Sequence, residues 1–270
     1  MPSAPAVPSL TPAAAWQLLA SGNTRFVAGT PRYPHHSLWR RQDLAGGQSP
    51  FATVLSCSDS RVSPELAFDR GLGDVFVVRN AGHVLDQATL GTTEYGVSVV
   101  GTPLLAVMGH ESCGAVAATM GAAQTGEMPG GYIGALVREM LPSAVAAGET
   151  GTTCAGEVME EHVRQTIRNL LDRSEVVAAA VTRGECAIVG LTYRLADGTV
   201  SLLDWIGDLG RPRSASASEM RDLHEQTRAA TDTADVMEAQ QHAAASAAAA
   251  VVPAASHDIV EAQEVYVAGE

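Results

Sequence analysis

Several features common in membrane proteins and in nucleic-acid-binding proteins are missing from this chain. It contains no lysine, and its 17 basic residues face 30 acidic residues, which gives a formal net charge of −13. Nucleic acids and anionic membrane surfaces repel a protein of that charge. No apolar run reaches the length of a membrane span. We therefore expect neither a nucleic-acid partner nor a membrane partner.

Cysteine is also scarce. The chain has four cysteines in 270 residues, at positions 57, 113, 154 and 186. So few thiols in a chain of this length make a disulfide framework improbable. The first residues lack the charged and apolar regions of a signal peptide. Both observations favour a cytoplasmic location.

Aromatic residues make up only 4% of the chain, but its apolar fraction of 46% is sufficient for a full hydrophobic core. The composition changes along the sequence. Residues 1–10 consist mainly of Pro, Ala and Ser and are predicted to be disordered, whereas residues 11–210 have the patterns of one globular domain. Residues 211–270 are rich in alanine and acidic residues, and we predict a C-terminal extension that is helical or disordered.

Short apolar runs alternate with helical patterns through the domain. The predicted strands cover residues 52–56, 73–78, 103–108, 186–193 and 200–206, and the clearest predicted helices cover residues 38–48, 89–100 and 157–180. Thr11 and Pro12 form a helix-start signal for an N-terminal helical arm. Asp197-Gly198 predicts a turn before the last strand. The prediction is an α/β fold: a mainly parallel sheet of four strands with an antiparallel edge strand and helices on both faces.

Chemically active residues follow two of the predicted strands at once. Cys57, Asp59 and Arg61 come after the first strand, and His110 and Cys113 come after the third. If these strands are parallel neighbours, both sets of side chains lie at the carboxyl edge of one sheet, where open α/β sheets build their sites.

Two thiolates and an imidazole suit zinc far better than magnesium or calcium. Cys57, His110 and Cys113 would leave one tetrahedral position, which Asp59 can fill or leave open. Arg61 is placed to hold Asp59 away from the metal through a bidentate ion pair. A closed, purely structural zinc site is the alternative, although an aspartate ligand beside an arginine is unusual for one.

The two motifs together resemble the signature of the β-class carbonic anhydrases. The first motif is Cys57-Ser58-Asp59-Ser60-Arg61, and the second is His110-Glu111-Ser112-Cys113-Gly114. The resemblance extends over residues 11–210. It implies reversible hydration of carbon dioxide to bicarbonate and a proton by zinc-bound hydroxide, with the Asp59–Arg61 dyad gating the fourth zinc position. It also implies a homodimer or homotetramer whose sites draw on both subunits.

The resemblance further implies a substrate pocket. Gln48 and the backbone amide of Gly114 would bind the oxygens of bicarbonate, and Gly114 also stands at a predicted helix N-terminus, which favours anions. Phe76 and Tyr95 match the positions that line the apolar carbon dioxide pocket. Ala81 stands where a valine is common in the family, so this wall of the pocket departs from the family pattern.

Some alternatives stay open at this point. Close relatives hydrolyse carbonyl sulfide with the same metal ligands, and a catalytically silent zinc protein is a further possibility. His83 is either a proton shuttle or, as the better interpretation, a neutral surface histidine. The N-terminal helical arm packs on its own domain or, as is usual in the family, on a partner subunit.

Overall fold

A five-stranded sheet forms the centre of the protein in the computed structural model, which describes residues 10–149, 151 and 154–210. Its strands are β1 (Ala52–Cys57), β2 (Val75–Asn80), β3 (Leu104–His110), β4 (Ala187–Tyr193) and β5 (Val200–Ile206). They lie in the order β2-β1-β3-β4-β5. Strands β1 to β4 are parallel and β5 runs antiparallel to β4, which confirms the predicted fold class.

Helices connect the strands. They are α1 (Pro12–Val27), α2 (Leu38–Asp43), α3 (Pro64–Ala67), α4 (Gln87–Glu94), α5 (Gly114–Thr125), α6 (Ile133–Glu149), α7 (Ala155–Arg173) and α8 (Glu175–Thr182), with 3-10 turns at Leu44–Gly46 and Ala81–His83 and a π-helical turn at Tyr95–Val100. Among the described helices, none is long and apolar enough to cross a bilayer. The predicted C-terminal extension at residues 211–270 and most of the predicted disordered N-terminus lie outside the described residues.

The core consists of two apolar layers, one on each face of the sheet. Every residue of β1 and β3 is buried, as expected for parallel strands that helices cover on both sides. Helices α5 to α8 pack on one face, and α1 and α3 pack on the other. The sheet is therefore rigid where β1 and β3 end, which is where the candidate site lies.

Helix α1 packs on its own domain. Its Ala15, Trp16 and Leu19 are buried against the sheet, and the Asn23 side chain donates a hydrogen bond of 2.8 Å to the carbonyl oxygen of Gly198. This face of the helix therefore belongs to its own core, and contact of the opposite face with a partner subunit stays a prediction. The apolar spacing that predicts the helix does not specify which surface the helix covers.

Two predicted helices differ from the observed ones. The helix predicted at residues 38–48 ends at Asp43 and continues only as a 3-10 turn, because Gly46 and Gly47 follow. The pattern at residues 157–180 forms two helices rather than one. Ser174 separates them, since its side-chain oxygen accepts a hydrogen bond from the amide of Val177 and caps the start of α8.

Candidate metal centre and active site

The carboxyl ends of β1 and β3 bring the two motifs together. These strands are adjacent and parallel, with Ser56 opposite Met108, so the residues that follow them share one edge of the sheet. The sulfur atoms of Cys57 and Cys113 and a ring nitrogen of His110 all lie within 4.8 Å of one another. The predicted convergence of these three side chains is therefore seen in the structure.

His110 is oriented as a metal ligand would be. The residue is 1% exposed, and its Nδ1 lies 2.8 Å from the carbonyl oxygen of Glu111. Because that oxygen is only an acceptor, Nδ1 carries the proton and Nε2 presents a lone pair. Nε2 is buried and has no hydrogen-bond partner within the described part of the chain. A buried nitrogen that presents a lone pair and lacks a hydrogen-bond donor is suited to coordinate a cation.

The two cysteines form a closely coupled pair. The hydrogen bond with the Cys113 thiol lowers the pKa of Cys57 well below its usual value, and the amide of Gly82 lowers it further. The same hydrogen bond, together with burial, raises the pKa of Cys113 well above its usual value. A divalent cation bound by both sulfurs would favour the thiolate form of each.

Asp59 and Arg61 form the predicted bidentate pair. Nε of Arg61 donates to Oδ1 of Asp59 at 2.9 Å, and Nη2 donates to Oδ2 at 2.6 Å. These bonds hold the pKa of Asp59 well below its usual range. Oδ2 of Asp59 also lies 3.9 Å from Nε2 of His110. The carboxylate thus stands beside the three-residue cluster while its two oxygens are bound to the guanidinium.

Arg79 supports the loop that carries Cys57 and Asp59, a role that the sequence analysis does not predict. Its Nε donates to the carbonyl oxygen of Cys57 at 2.9 Å, and its Nη2 donates to that of Asp59 at 2.8 Å. The parallel pairing places Arg79 opposite Ser56. An arginine at the end of the neighbouring strand is the signal that points to this contact, but only once the strand order is known.

Gly114 is the first residue of α5, directly after Cys113. A Cβ atom built at this position meets no described atom within 4 Å. Gly114 is therefore exposed at a helix N-terminus next to the cluster. This is the position expected of a donor to an anionic oxygen.

The remaining predicted pocket residues lie elsewhere in the chain. Phe76 pairs with Thr53 near the beginning of β2, four residues before the strand end opposite Cys57, which corresponds to about 13 Å along the strand. Tyr95 packs beside Phe76 with ring centroids 6.1 Å apart. Gln48 is exposed in the loop that precedes β1. The structure does not bring these side chains to the cluster within one chain.

His83 is not at the surface, so that prediction is wrong. It is 1% exposed, because the left-handed turn at Gly82 and His83 directs the ring inward against His162, with centroids 4.5 Å apart. Burial, followed by the neighbouring His162, lowers the pKa of His83 well below its usual value. The neutral form of the ring is therefore favoured.

Comparisons of the sequence with known proteins agree with the geometry of the site. A family model described as carbonic anhydrase matches residues 52–200. The chain is 46% identical over 204 residues to carbonic anhydrase 2 of Mycobacterium tuberculosis, and the alignment covers 76% of this chain and 99% of that protein. It is 47% identical over 204 residues to a carbonic anhydrase of Mycolicibacterium smegmatis, with the same two coverages of 76% and 99%.

The fold is also similar to that of a solved structure, the Coccomyxa β-carbonic anhydrase in complex with acetazolamide. The TM-score is 0.55 at 25% sequence identity, and the superposition covers 69% of this chain and 84% of that chain. The sheet, the cluster at its carboxyl edge and the sequence matches all lie in the same part of the molecule.

Proposed function

This chain belongs to the β-carbonic anhydrase family, and we propose that it catalyses the reversible hydration of carbon dioxide to bicarbonate and a proton. The observation that carries the proposal is the buried Nε2 of His110, which lies beside two cysteine sulfurs and has no hydrogen-bond partner among the described residues. The site is built on the rigid ends of two adjacent strands, so the three donors are held in place before any ligand binds.

The resident metal that fits this donor set is zinc, held by Cys57, His110 and Cys113. Two sulfurs and one imidazole nitrogen match zinc chemistry. The carbonyl oxygen of Glu111 orients Nδ1 of His110, and the amide of Gly82 donates to the sulfur of Cys57. When bound, zinc supplies Lewis-acid activation of water by lowering its pKa from about 15.7 toward neutrality.

Asp59 orients the attacking water and gates the remaining ligand position. Its carboxylate is only an acceptor while ionised, so it takes a hydrogen bond from the nucleophile and directs a lone pair toward the substrate carbon. The pair with Arg61 keeps that carboxylate off the cluster and keeps its pKa low. If Arg61 releases Asp59, the carboxylate can occupy the position meant for water, and the site closes.

Gln48, Phe76 and Tyr95 contribute to the site from a second copy of the chain. They lie toward the amino ends of β1 and β2 and away from their own cluster. Tyr95 is 50% exposed, and Val99 on the following turn is 65% exposed, so this surface is apolar and available to a partner. In a homodimer, or a homotetramer built from such dimers, each pocket would combine one subunit's cluster and Gly114 with the other subunit's aromatic side chains.

Subunit complementation tests this shared site. Cys113→Ser chains and Phe76→Ala/Tyr95→Ala chains, each nearly inactive alone, are co-expressed with different tags. Random pairing gives half mixed dimers with one intact site of two, so activity should return to about a quarter of the wild-type value. Recovery in the doubly purified mixed dimer supports the proposal, whereas activity no greater than that of the two parents would contradict it.

The hydration reaction itself is tested by zinc content and stopped-flow hydration between about pH 6 and 9, a range that brackets a near-neutral zinc-activated water. We expect one zinc per chain and a rate that rises above neutral pH, because two thiolates give the metal more negative charge than three histidines do. Folded protein without zinc, or zinc-loaded protein without turnover, would contradict the proposal. Faster turnover of carbonyl sulfide on the same sample would instead favour the related hydrolase activity.

A cytoplasmic location is part of the proposal. The four cysteines are all free, and reduced thiols are typical of the cytoplasm.

A further inference from the structure

A chain of buried hydrogen bonds runs from two helices to the cluster. Nδ1 of His162 on α7 lies 3.0 Å from Oγ of Ser143 on α6, and its Nε2 lies 2.9 Å from the carbonyl oxygen of Gly82. The amide of Gly82 in turn donates to the sulfur of Cys57 at 3.4 Å. His162 and Ser143 are 4% and 2% exposed, so the chain is closed to solvent.

The protonation state of His162 follows from its partners. Burial lowers the pKa of His162, so the ring is neutral and carries one proton. The carbonyl oxygen of Gly82 is only an acceptor, which places the proton on Nε2. Nδ1 then presents a lone pair to the Ser143 hydroxyl, whose oxygen also lies 3.0 Å from Oε1 of Gln165, a second acceptor for the hydroxyl proton.

Gly82 is held in one conformation between its two hydrogen bonds. Its backbone is left-handed, with φ of 72° and ψ of 15°, a region that glycine adopts without strain. A Cβ atom there would lie 2.6 Å from Sδ of Met140 and 2.9 Å from Cβ of Ala115. The space therefore admits only glycine, and the direction of its amide depends on what holds its carbonyl group.

We propose that His162 is a positioning residue of the metal centre, which acts through Gly82 on the sulfur of Cys57. This inference rests on the proposed zinc function. By holding the Gly82 carbonyl, His162 keeps the Gly82 amide aimed at Cys57, and that bond fixes the orientation of the sulfur. His83 touches the same ring but has no hydrogen bond to Gly82 within the described residues, so the role belongs to His162.

The test compares His162→Phe, which keeps the bulk of the ring but not its donor, with His162→Gln, whose amide can still donate to Gly82. Thr166→Val is the matched control, because Thr166 lies one turn away on α7 and is 2% exposed, and among the described residues its hydroxyl donates to the carbonyl oxygen of His162 alone. Zinc loss to a chelator is measured on zinc-loaded protein. Hydrogen exchange of the segment that contains Gly82 is measured on metal-free protein.

We expect zinc loss to be about tenfold faster in His162→Phe, the lower end of the effect that outer-sphere partners of metal ligands have. His162→Gln and Thr166→Val should remain close to wild type, and only His162→Phe should show faster exchange at Gly82. Equal zinc loss in the Phe and Gln variants, or wild-type zinc loss in both, would overturn the proposal.

If His162→Phe does not fold, Ser143→Ala decides the question. That variant removes only the hydroxyl that orients the ring, and we expect a smaller change in the same direction in both measurements. Unchanged zinc loss and exchange in folded Ser143→Ala would also overturn the proposal. Wild-type protein that takes up no zinc would refute the proposed function, whereas the exchange data on metal-free protein would still report on His162 separately.

Discussion

A Cys113→Ser variant is expected to lose its zinc and at least about 100-fold of its carbon dioxide hydration rate. Substitution of a residue that only supports a metal ligand changes metal affinity or activity by about 10- to 100-fold. Loss of a ligand itself therefore has a larger effect. The fold should survive. Cys113 is the N-cap residue of α5, and serine is a better N-cap than most residues. Zinc content and stopped-flow hydration measure the outcome.

Cys154→Ser is the matched control for this substitution. Cys154 is the N-cap residue of α7 and is exposed, so the same atom is changed at an equivalent helix position without touching the cluster. Cys186→Ala controls for a buried thiol, since burial raises the pKa of Cys186 to about 12 and leaves it inert. Both controls should retain zinc and turnover. Full activity in Cys113→Ser would show that the cluster is not the catalytic centre.

The positions of the metal-ligand candidates were predictable because the ligands follow their strands directly. Once β1 and β3 are parallel neighbours, the geometry of the sheet edge places Cys57 and His110 side by side, and Cys113 follows within one turn. Asp59 and Arg61 are two residues apart, so their ion pair needs only local geometry. Short-range spacing therefore determined this part of the site.

Other parts of the site depend on contacts between distant segments, for which the sequence has no local signal. His162 reaches Gly82 across 80 residues, and helical spacing on α7 shows only that its ring faces the interior. The packing of α1 on its own sheet is a similar case. The placement of Phe76 and Tyr95 away from the cluster depends on the course of β2 and α4, and the catalytic role that we propose for them requires a second subunit.

The Asp59→Asn and Arg61→Ala variants separate catalysis from metal binding. Each should keep its zinc, because neither residue belongs to the three-donor cluster, but each should lose about 100-fold in kcat/KM, the size of effect expected when a reacting group is misplaced by about 1 Å. An asparagine presents a donor beside the nucleophile, and Arg61→Ala frees the carboxylate to close the site. The double variant should be no slower than the slower single one, because the residues act as a unit.

The ionisation of Asp59 does not change over the assayed pH range in the wild type or in Arg61→Ala. In the wild type, Arg61 holds the pKa of Asp59 far below neutrality, and in Arg61→Ala that pKa returns toward about 3.9, so Asp59 stays ionised from about pH 6 to 9 in both proteins. Protonation of Asp59 therefore cannot produce the rise in wild-type activity with pH.

The matched control for the dyad is a second, exposed ion pair formed by Arg194 and Asp197. The Arg194→Ala and Asp197→Asn variants should have the hydration rate of the wild type. Equal rates in wild type, Asp59→Asn and Arg61→Ala would show that the dyad has no catalytic role.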